Sequence, residues 1–190
     1  HSAANYDETI EGIKAGINHV THFFNAMNPI NHRNPGPIIA IIENGKISCQ
    51  IISDGHHLDG RIVKFIYNSI GIKNCICITD GVQAMGLPDG EYMFNGRPYI
   101  SKDGAARYLD GTLIGSTTPL LKVVKKFIDF TGCNLEEGIN SVTINPAKLL
   151  NIESRKGSVK VGKDADVILF DENYDNKCTI INGEILYNII

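Results

Sequence analysis

Imidazole and carboxylate side chains in this 190-residue chain fall at the ends of its apolar segments. His22 follows Asn18–Thr21, His56 and His57 follow Lys46–Ser53, and Asp80 follows Asn74–Thr79. His1 precedes the first helical pattern, where a strand end would sit. In a (β/α) barrel the catalytic groups gather at the C-terminal ends of the strands. Imidazoles that hold a divalent metal, beside a carboxylate that takes a proton from its water, are the chemistry these residue types could do. One histidine at a strand end is more often a cap or a satisfied core group. Four such positions at successive strand ends point to a metal or catalytic site. His19 and His22 are three apart, so on a strand they face opposite sides, and His22 is the better ligand. Asp54-Gly55 and Asp80-Gly81 both read as turns, and Asp80 is either an Asx turn or a catalytic base. Arg33 lies in a Pro- and Asn-rich loop, where it is either solvated or a clamp for phosphate. Gly115 to Thr118 precede a helix, as an ordinary N-cap or as a backbone lining for substrate. No P-loop or dinucleotide fingerprint is present.

The elements that must position these groups alternate over the first 80 residues. Ile10, Ile13 and Ile17 predict a helix from Asp7 to Ala15. Asn18–Phe24 reads as a strand, Asn25–Pro37 as a loop and Pro37–Glu43 as a short helix. Lys46–Ser53 and Asn74–Thr79 read as strands flanking a helix over Leu58–Ile70. Strands this apolar belong in a parallel sheet or barrel covered by helices. Between 82 and 114 glycines punctuate short segments, as in an antiparallel excursion or a long functional loop. Leu120, Val124, Phe127 and Ile128 predict another helix. Asn134 caps the next, and Asn145-Pro146 starts a third with proline at its first position. Strands are predicted at Ser158–Val161, Val167–Phe170, Lys177–Ile181 and Glu184–Tyr187, the last two joined by an Asn182-Gly183 hairpin. The expected architecture is α/β. Residues 1–156 form part of a barrel, with a β excursion near 91–110, and 157–190 contribute strands of a small β domain.

Composition narrows the function classes. Apolar residues make up 43% and charged residues 21%, which excludes collagen, a simple coiled coil and a disordered tail. Mean hydropathy is −0.06, and no apolar run approaches the ~18–20 residues of a spanning helix. Net charge is −3 and the five arginines are scattered, so neither a nucleic-acid nor a membrane partner is expected. Lys122, Lys125 and Lys126 read as a solvated helix face. Five cysteines without C-x-x-C predict buried free thiols in a reducing cytoplasm, and no signal peptide is seen. The first residue is histidine and not methionine, as in a processed chain, a piece of a longer one, or a vector scar.

These residues resemble the N-acetylglucosamine-6-phosphate deacetylases of the amidohydrolase superfamily, in their C-terminal half. The most specific parts are His1-Ser2-Ala3-Ala4 with Tyr6-Asp7, Thr21-His22-Phe23-Phe24-Asn25-Ala26-Met27, Arg33 with Pro35-Gly36, Asp54-Gly55-His56-His57-Leu58-Asp59, Thr79-Asp80-Gly81 and Gly111-Thr112-Leu113-Ile114-Gly115-Ser116. Asn145-Pro146-Ala147-Lys148, Lys156-Gly157-Ser158 and Gly162-Lys163-Asp164-Ala165-Asp166 are shared widely across amidohydrolases, so they support the superfamily and not the substrate. The resemblance implies the C-terminal part of a TIM-like (β/α)8 metal-dependent hydrolase barrel plus part of a small β-sandwich domain.

It further implies that His1 and His22 ligate a divalent metal (Zn, Fe, Mn or Co). Asp80 is the general base on the metal-activated water and then the acid for the leaving amine. His57 contacts the phosphate or the sugar. Asn25 and Ala26 bind phosphate, largely through backbone N–H groups, and Arg33 reaches it, often from the neighbouring subunit of a homodimer. The implied partner is a small-molecule sugar phosphate. The family's first barrel half, with a His-x-His, a metal-binding Glu and a carbonyl-polarising His, precedes the position of His1. The expectation is therefore that this chain by itself is inactive and folds only with a partner segment or by self-association. Other readings are a dihydroorotase-like or deaminase-like amidohydrolase, and a non-catalytic sugar-phosphate-binding remnant.

Overall fold

The computed structural model describes residues 1–190. Its site-bearing part is a three-stranded parallel sheet of β1 (His19–Val20), β2 (Ser48–Ile51) and β3 (Cys75–Cys77), in the order β1-β2-β3. Helices α1 (Tyr6–Lys14), α2 (Gly36–Asn44) and α3 (Gly60–Ile70) alternate with these strands. Asn5 caps α1, its side chain accepting from the Glu8 N–H while Glu8 accepts from the Asn5 N–H. Asp59 caps α3, which buries Val63, Ile66 and Ile70, one face at helical spacing. These side chains pack with Phe23, Ile38, Ile51, Val123 and Phe127 in the main core. Burial there removes each large side chain from water at a gain of roughly 1.5–3 kcal/mol.

After β3 the chain builds an antiparallel meander of β4 (Gly90–Phe94), β5 (Arg97–Lys102), β6 (Ala105–Tyr108) and β7 (Leu113–Ser116). Tyr99, Ala84 and Ala106 form its own small core. Of the two alternatives for this region, the excursion is what forms. Its last strand returns to the parallel sheet through a parallel bridge between Gly81 and Ser116. Helices α4 (Leu120–Thr131), α5 (Leu135–Asn140) and α6 (Ile144–Leu149) follow, then an antiparallel sheet of β8 (Val167–Phe170), β9 (Asn176–Ile181) and β10 (Glu184–Asn188). The β9–β10 turn has positive φ at both Asn182 (52°) and Gly183 (84°), the left-handed pair a tight hairpin requires.

The parallel sheet has three strands and open edges, so these residues form a mixed α/β structure. The C-terminal strands make one three-stranded sheet. Several local expectations need correction. Ser158–Val161 is not a strand. Gly157 and Gly162 flank it at φ 81° and 88°, and Val159 and Val161 point into solvent. The strand expected to reach Phe24 ends at Val20, because the following residues coil into a turn. Helix α6 begins at Ile144, one residue before Asn145. Asn145 does not cap it, but donates through its side-chain amide to the carbonyls of Ile72 (2.7 Å) and Cys75 (2.9 Å), tying α6 to β3. The N-cap position of α4 is Pro119, with no side-chain cap. The hydroxyls of Ser116 and Thr118 instead donate to the Gly104 carbonyl.

All five cysteines are free and buried. Burial pushes the Cys49 and Cys77 thiols up to about 12, so they are neutral core groups and not nucleophiles.

The Lys156-Gly157 and Asp164-Ala165-Asp166 motifs are structural. The Lys156 ammonium pairs with both Asp164 and Asp166, and Arg155 pairs with Asp164 at 2.9 Å. A Cβ on Gly157 would lie 2.9 Å from the Ala147 Cβ, the Ile144 Cα and the Thr143 carbonyl oxygen. Gly157→Ala should destabilise the fold by about 2–4 kcal/mol through overpacking and the left-handed backbone. Urea midpoints of the two chains measure it, and an unchanged midpoint refutes it.

Candidate active site

The His22 turn concentrates left-handed backbone. His22, Phe24 and Ala26 all have positive φ (34°, 77° and 50°), without a glycine among them. Each such residue costs on the order of 1–3 kcal/mol and persists only where the surroundings over-determine it. Phe23, fully buried in the core, plugs the turn from below. The Ser2 N–H donates to the Ala26 carbonyl at 3.0 Å and brings the His1 segment alongside. As a result, His1 Nδ1 and His22 Nε2 meet at 2.9 Å, one ring donating to the other, across 21 residues of sequence. His22 is buried, and its Nδ1 has no partner. His19 stays outside this pair. Its Nε2 is buried without a partner beside a cleft of about 340 Å³ between α1, β1 and α2, and burial lowers its pKa.

Asn25 and Ala26 share the turn with His22. The Asn25 backbone N–H closes on the His22 carbonyl (2.9 Å), and its side-chain amide donates to His22 and Phe23 carbonyls, so both donors are spent within the turn. Arg33 is not brought to these residues. It is exposed on the Asn31–Asn34 turn, where its backbone N–H donates to the Asn31 side chain.

The second cluster joins the ends of β2 and β3. Asp54, fully buried, accepts the N–H groups of His56 (2.8 Å) and His57 (2.9 Å) on Oδ1 and pairs with His57 Nδ1 at 2.8 Å through Oδ2. The other nitrogen of the ring, His57 Nε2, lies 3.6 Å from Asp80 Oδ2, and the His57 side chain is only 5% exposed. Asp80 has a left-handed backbone (φ 51°) and a half-exposed carboxylate. Its carbonyl accepts from the Ser116 N–H at 2.9 Å, and the Val82 N–H returns to the Ser116 carbonyl. The β7 strand thus fixes where the carboxylate stands. His56 ties the same loop to the meander, its Nε2 bonding the Asp103 carbonyl.

Burial pushes the Asp54 carboxyl up. Hydrogen bonds from the His57 ring and from the His57 and His56 N–H groups outweigh it and bring the pKa to about 2. A folded pKa below the unfolded value of about 3.9 gives stability that is complete above that value and is lost as pH falls through about 2. The wild-type chain should therefore lose stability between about pH 4 and pH 2, and Asp54→Asn should lack this component of the loss. Urea midpoints against pH measure the difference, and parallel curves for the two chains contradict it.

The chain that carries these side chains matches a known family. The model of the Amidohydrolase family matches residues 1–186. The chain belongs to the amidohydrolase family. This amidohydrolase chain is 35% identical, over 98% of its length, to the N-acetylglucosamine-6-phosphate deacetylase of Bacillus subtilis, and 32% identical over all of it to that of Bos taurus. It is 30% identical to an N-acetylgalactosamine-6-phosphate deacetylase of Escherichia coli. Among solved structures, the N-acetylglucosamine-6-phosphate deacetylase of Thermotoga maritima superposes on the whole chain with a TM-score of 0.92 at 33% identity. A variant from Mycobacterium smegmatis, in complex with N-acetyl-D-glucosamine-6-phosphate, covers 97% of the chain with a TM-score of 0.90 at 29% identity. The resemblance read from the motifs is thus borne out. The chain spans about half the length of these relatives, 47% of each of the first two and 52% of the Thermotoga chain.

Amidohydrolases commonly use a divalent metal, and the fit of this chain to one is partial. The His1–His22 pair presents two convergent imidazoles, one with an orphaned second nitrogen. No three His, Cys, Asp or Glu side chains gather around one point. Two donors are fewer than the three protein ligands usual for a catalytic zinc. Sequence reasoning missed Asp54, read only as a turn, and Lys126, read as part of a solvated face. The Lys126 ammonium donates to the Asp54 backbone carbonyl, while Lys122 and Lys125 pair with Asp175 and Asp129. The i,i+3 spacing of Asp54 and His57 was the available signal.

Proposed function

We propose that this chain takes part in hydrolytic deacetylation of N-acetyl-D-glucosamine 6-phosphate, giving D-glucosamine 6-phosphate and acetate. The observation that supports this most is the convergence of His1 on His22, and of His57 on Asp80, in a chain similar over nearly all its length to deacetylases of that substrate. An N-acetyl amide is a poor electrophile. A divalent cation (Zn, Fe, Mn or Co) held by His1 and His22, with further ligands from outside this chain, would supply Lewis-acid polarisation. Asp80 accepts the proton of the attacking water and returns it to the departing amine. His57 orients the sugar. Ala26, through its backbone N–H, and Arg33 are assigned to the phosphate, Arg33 across a homodimer, which its exposed position permits; Asn25, whose donors close the turn, is assigned to shaping that backbone. Remote binding of the phosphate helps orient the reacting amide. No helix is long and apolar enough to cross a membrane. Five free buried thiols suit a reducing compartment such as the cytoplasm.

The E. coli relative named for the galacto epimer gives a second reading, that the sugar is N-acetylgalactosamine 6-phosphate. Acetate release from both epimers, with Zn²⁺ or Fe²⁺ added, separates the two. The assay is run on the chain as given and within any longer polypeptide that contains it. Release from the gluco epimer supports the proposal, and preference for the galacto epimer supports the second reading. Silence of both in every form overturns deacetylation of either.

A further inference from the structure

We propose that Asp54 is a positioning residue that locks the tautomer of His57, holding the proton on Nδ1 and leaving Nε2 as the only ring nitrogen that can gain or lose one. The geometry carries this. Oδ2 of Asp54 stands 2.8 Å from Nδ1, and Oδ1 is already occupied by two backbone N–H groups of the same loop. The carboxyl is fully buried, so water does not compete for it. An ionised carboxylate is an acceptor only, so the nitrogen facing it must be the N–H. The loop is braced from both sides, by the Lys126 ammonium on the Asp54 carbonyl and by His56 on Asp103. The ring therefore cannot flip without breaking a buried, charge-assisted bond.

The free nitrogen then has a defined role. Nε2 faces Asp80 Oδ2 at 3.6 Å, too far for a hydrogen bond between them. On the neutral ring both atoms are acceptors, and together they make a site for a donor, a hydroxyl or an amide N–H. A phosphate oxygen placed there would meet the Asp80 carboxylate. This assigns His57 to the sugar and amide end of the substrate, a consequence that rests on the proposed function. The tautomer itself does not.

Asp54→Asn is a sharp test because its shape is unchanged. The two backbone N–H groups still require an acceptor, so the Asn carbonyl oxygen takes the place of Oδ1. That turns the amide NH₂ toward His57 Nδ1, which must then accept, and the ring proton moves to Nε2. The experiment is long-range ¹H–¹⁵N NMR on the ¹⁵N-histidine-labelled chain, with the His57 signals assigned by loss in His57→Gln. As pH rises through the titration of the wild-type ring, the proton is expected to leave Nε2 while Nδ1 keeps its own. In Asp54→Asn the two nitrogens exchange roles.

A wild-type ring that deprotonates at Nδ1 overturns the inference without reference to any variant. So does a folded Asp54→Asn chain, with unchanged His1 and His22 signals, that keeps the wild-type pattern. Loss of Asp54 as packing alone would not swap the two nitrogens. In any polypeptide that releases acetate, Asp54→Asn should lower kcat/KM by roughly 10–100-fold. Absence of acetate release with the expected tautomer defeats the functional proposal and leaves this inference standing.

Discussion

Asp80→Asn should abolish turnover while leaving the fold and substrate binding intact. In whichever polypeptide containing this chain releases acetate, kcat is expected to fall by at least about 10²–10⁴-fold, the usual contribution of a positioned acid–base group. Asn is isosteric with Asp but cannot take up a proton, and water attack and amine departure both need a group that can. The Asp80 carboxylate is half-exposed, and the one ionisable side chain that meets it is His57, at 3.6 Å. Its removal should therefore shift stability by less than about 0.5 kcal/mol. The backbone that holds it uses the Asp80 carbonyl, which Asn retains, and Asn also tolerates the left-handed φ of 51°. KM should move little, because the Asn carbonyl oxygen still accepts beside His57 Nε2 and the phosphate contacts assigned to Ala26 and Arg33 lie elsewhere. Steady-state acetate release alongside a urea midpoint separates the cases. Retained kcat in a folded variant would remove Asp80 from the chemistry.

Gly115→Ala should both destabilise the chain and displace the same carboxylate. Gly115 on β7 has φ 152°, and a Cβ there would lie 2.7 Å from the Asp80 carbonyl oxygen and 2.7 Å from Val82 Cγ1. The oxygen belongs to backbone that also accepts from Ser116, so it cannot yield without moving Asp80. Strain and overpacking together predict a loss of about 3–5 kcal/mol. Gly111→Ala is the internal control. That glycine also has positive φ (88°), but nothing lies within 4 Å of its Cβ position, so only the backbone penalty of roughly 1–2 kcal/mol applies. Urea midpoints for both variants test the contrast. Equal effects would show that the approach to Asp80 is not the cause. Where the polypeptide is active, Gly115→Ala should also lose kcat at temperatures where it remains folded, and Gly111→Ala should not.

Much of the scaffold was legible because local signals agreed with the tertiary outcome. The periodic isoleucines of α1, the apolar face of α3 and the Asn182-Gly183 hairpin are each set by contacts within a few residues. Their boundaries moved by only a residue or two. The segment from Thr21 to Phe24 misled for the opposite reason. Its β-branched and aromatic residues suit a strand, but burial of Phe23 in the core and the Ser2–Ala26 bond pull it into a left-handed turn. Lys126 misled similarly, since a helix pattern does not reveal a carbonyl arriving from 72 residues away.

The sequence by itself determined the family, the alternation of helices and strands, and the residue types at the strand ends. It also named His1, His22, His57 and Asp80 as candidates, because motifs record chemistry directly. Only the tertiary structure decided which of them meet. It paired His1 with His22 and set His57 between two carboxylates. It left Arg33 exposed away from both pairs, and it gave Asp54 and Gly115 their work. Such pairings depend on backbone approach between segments more than 20 residues apart. That approach is fixed by core packing and turn geometry, neither of which has a local signature in the chain.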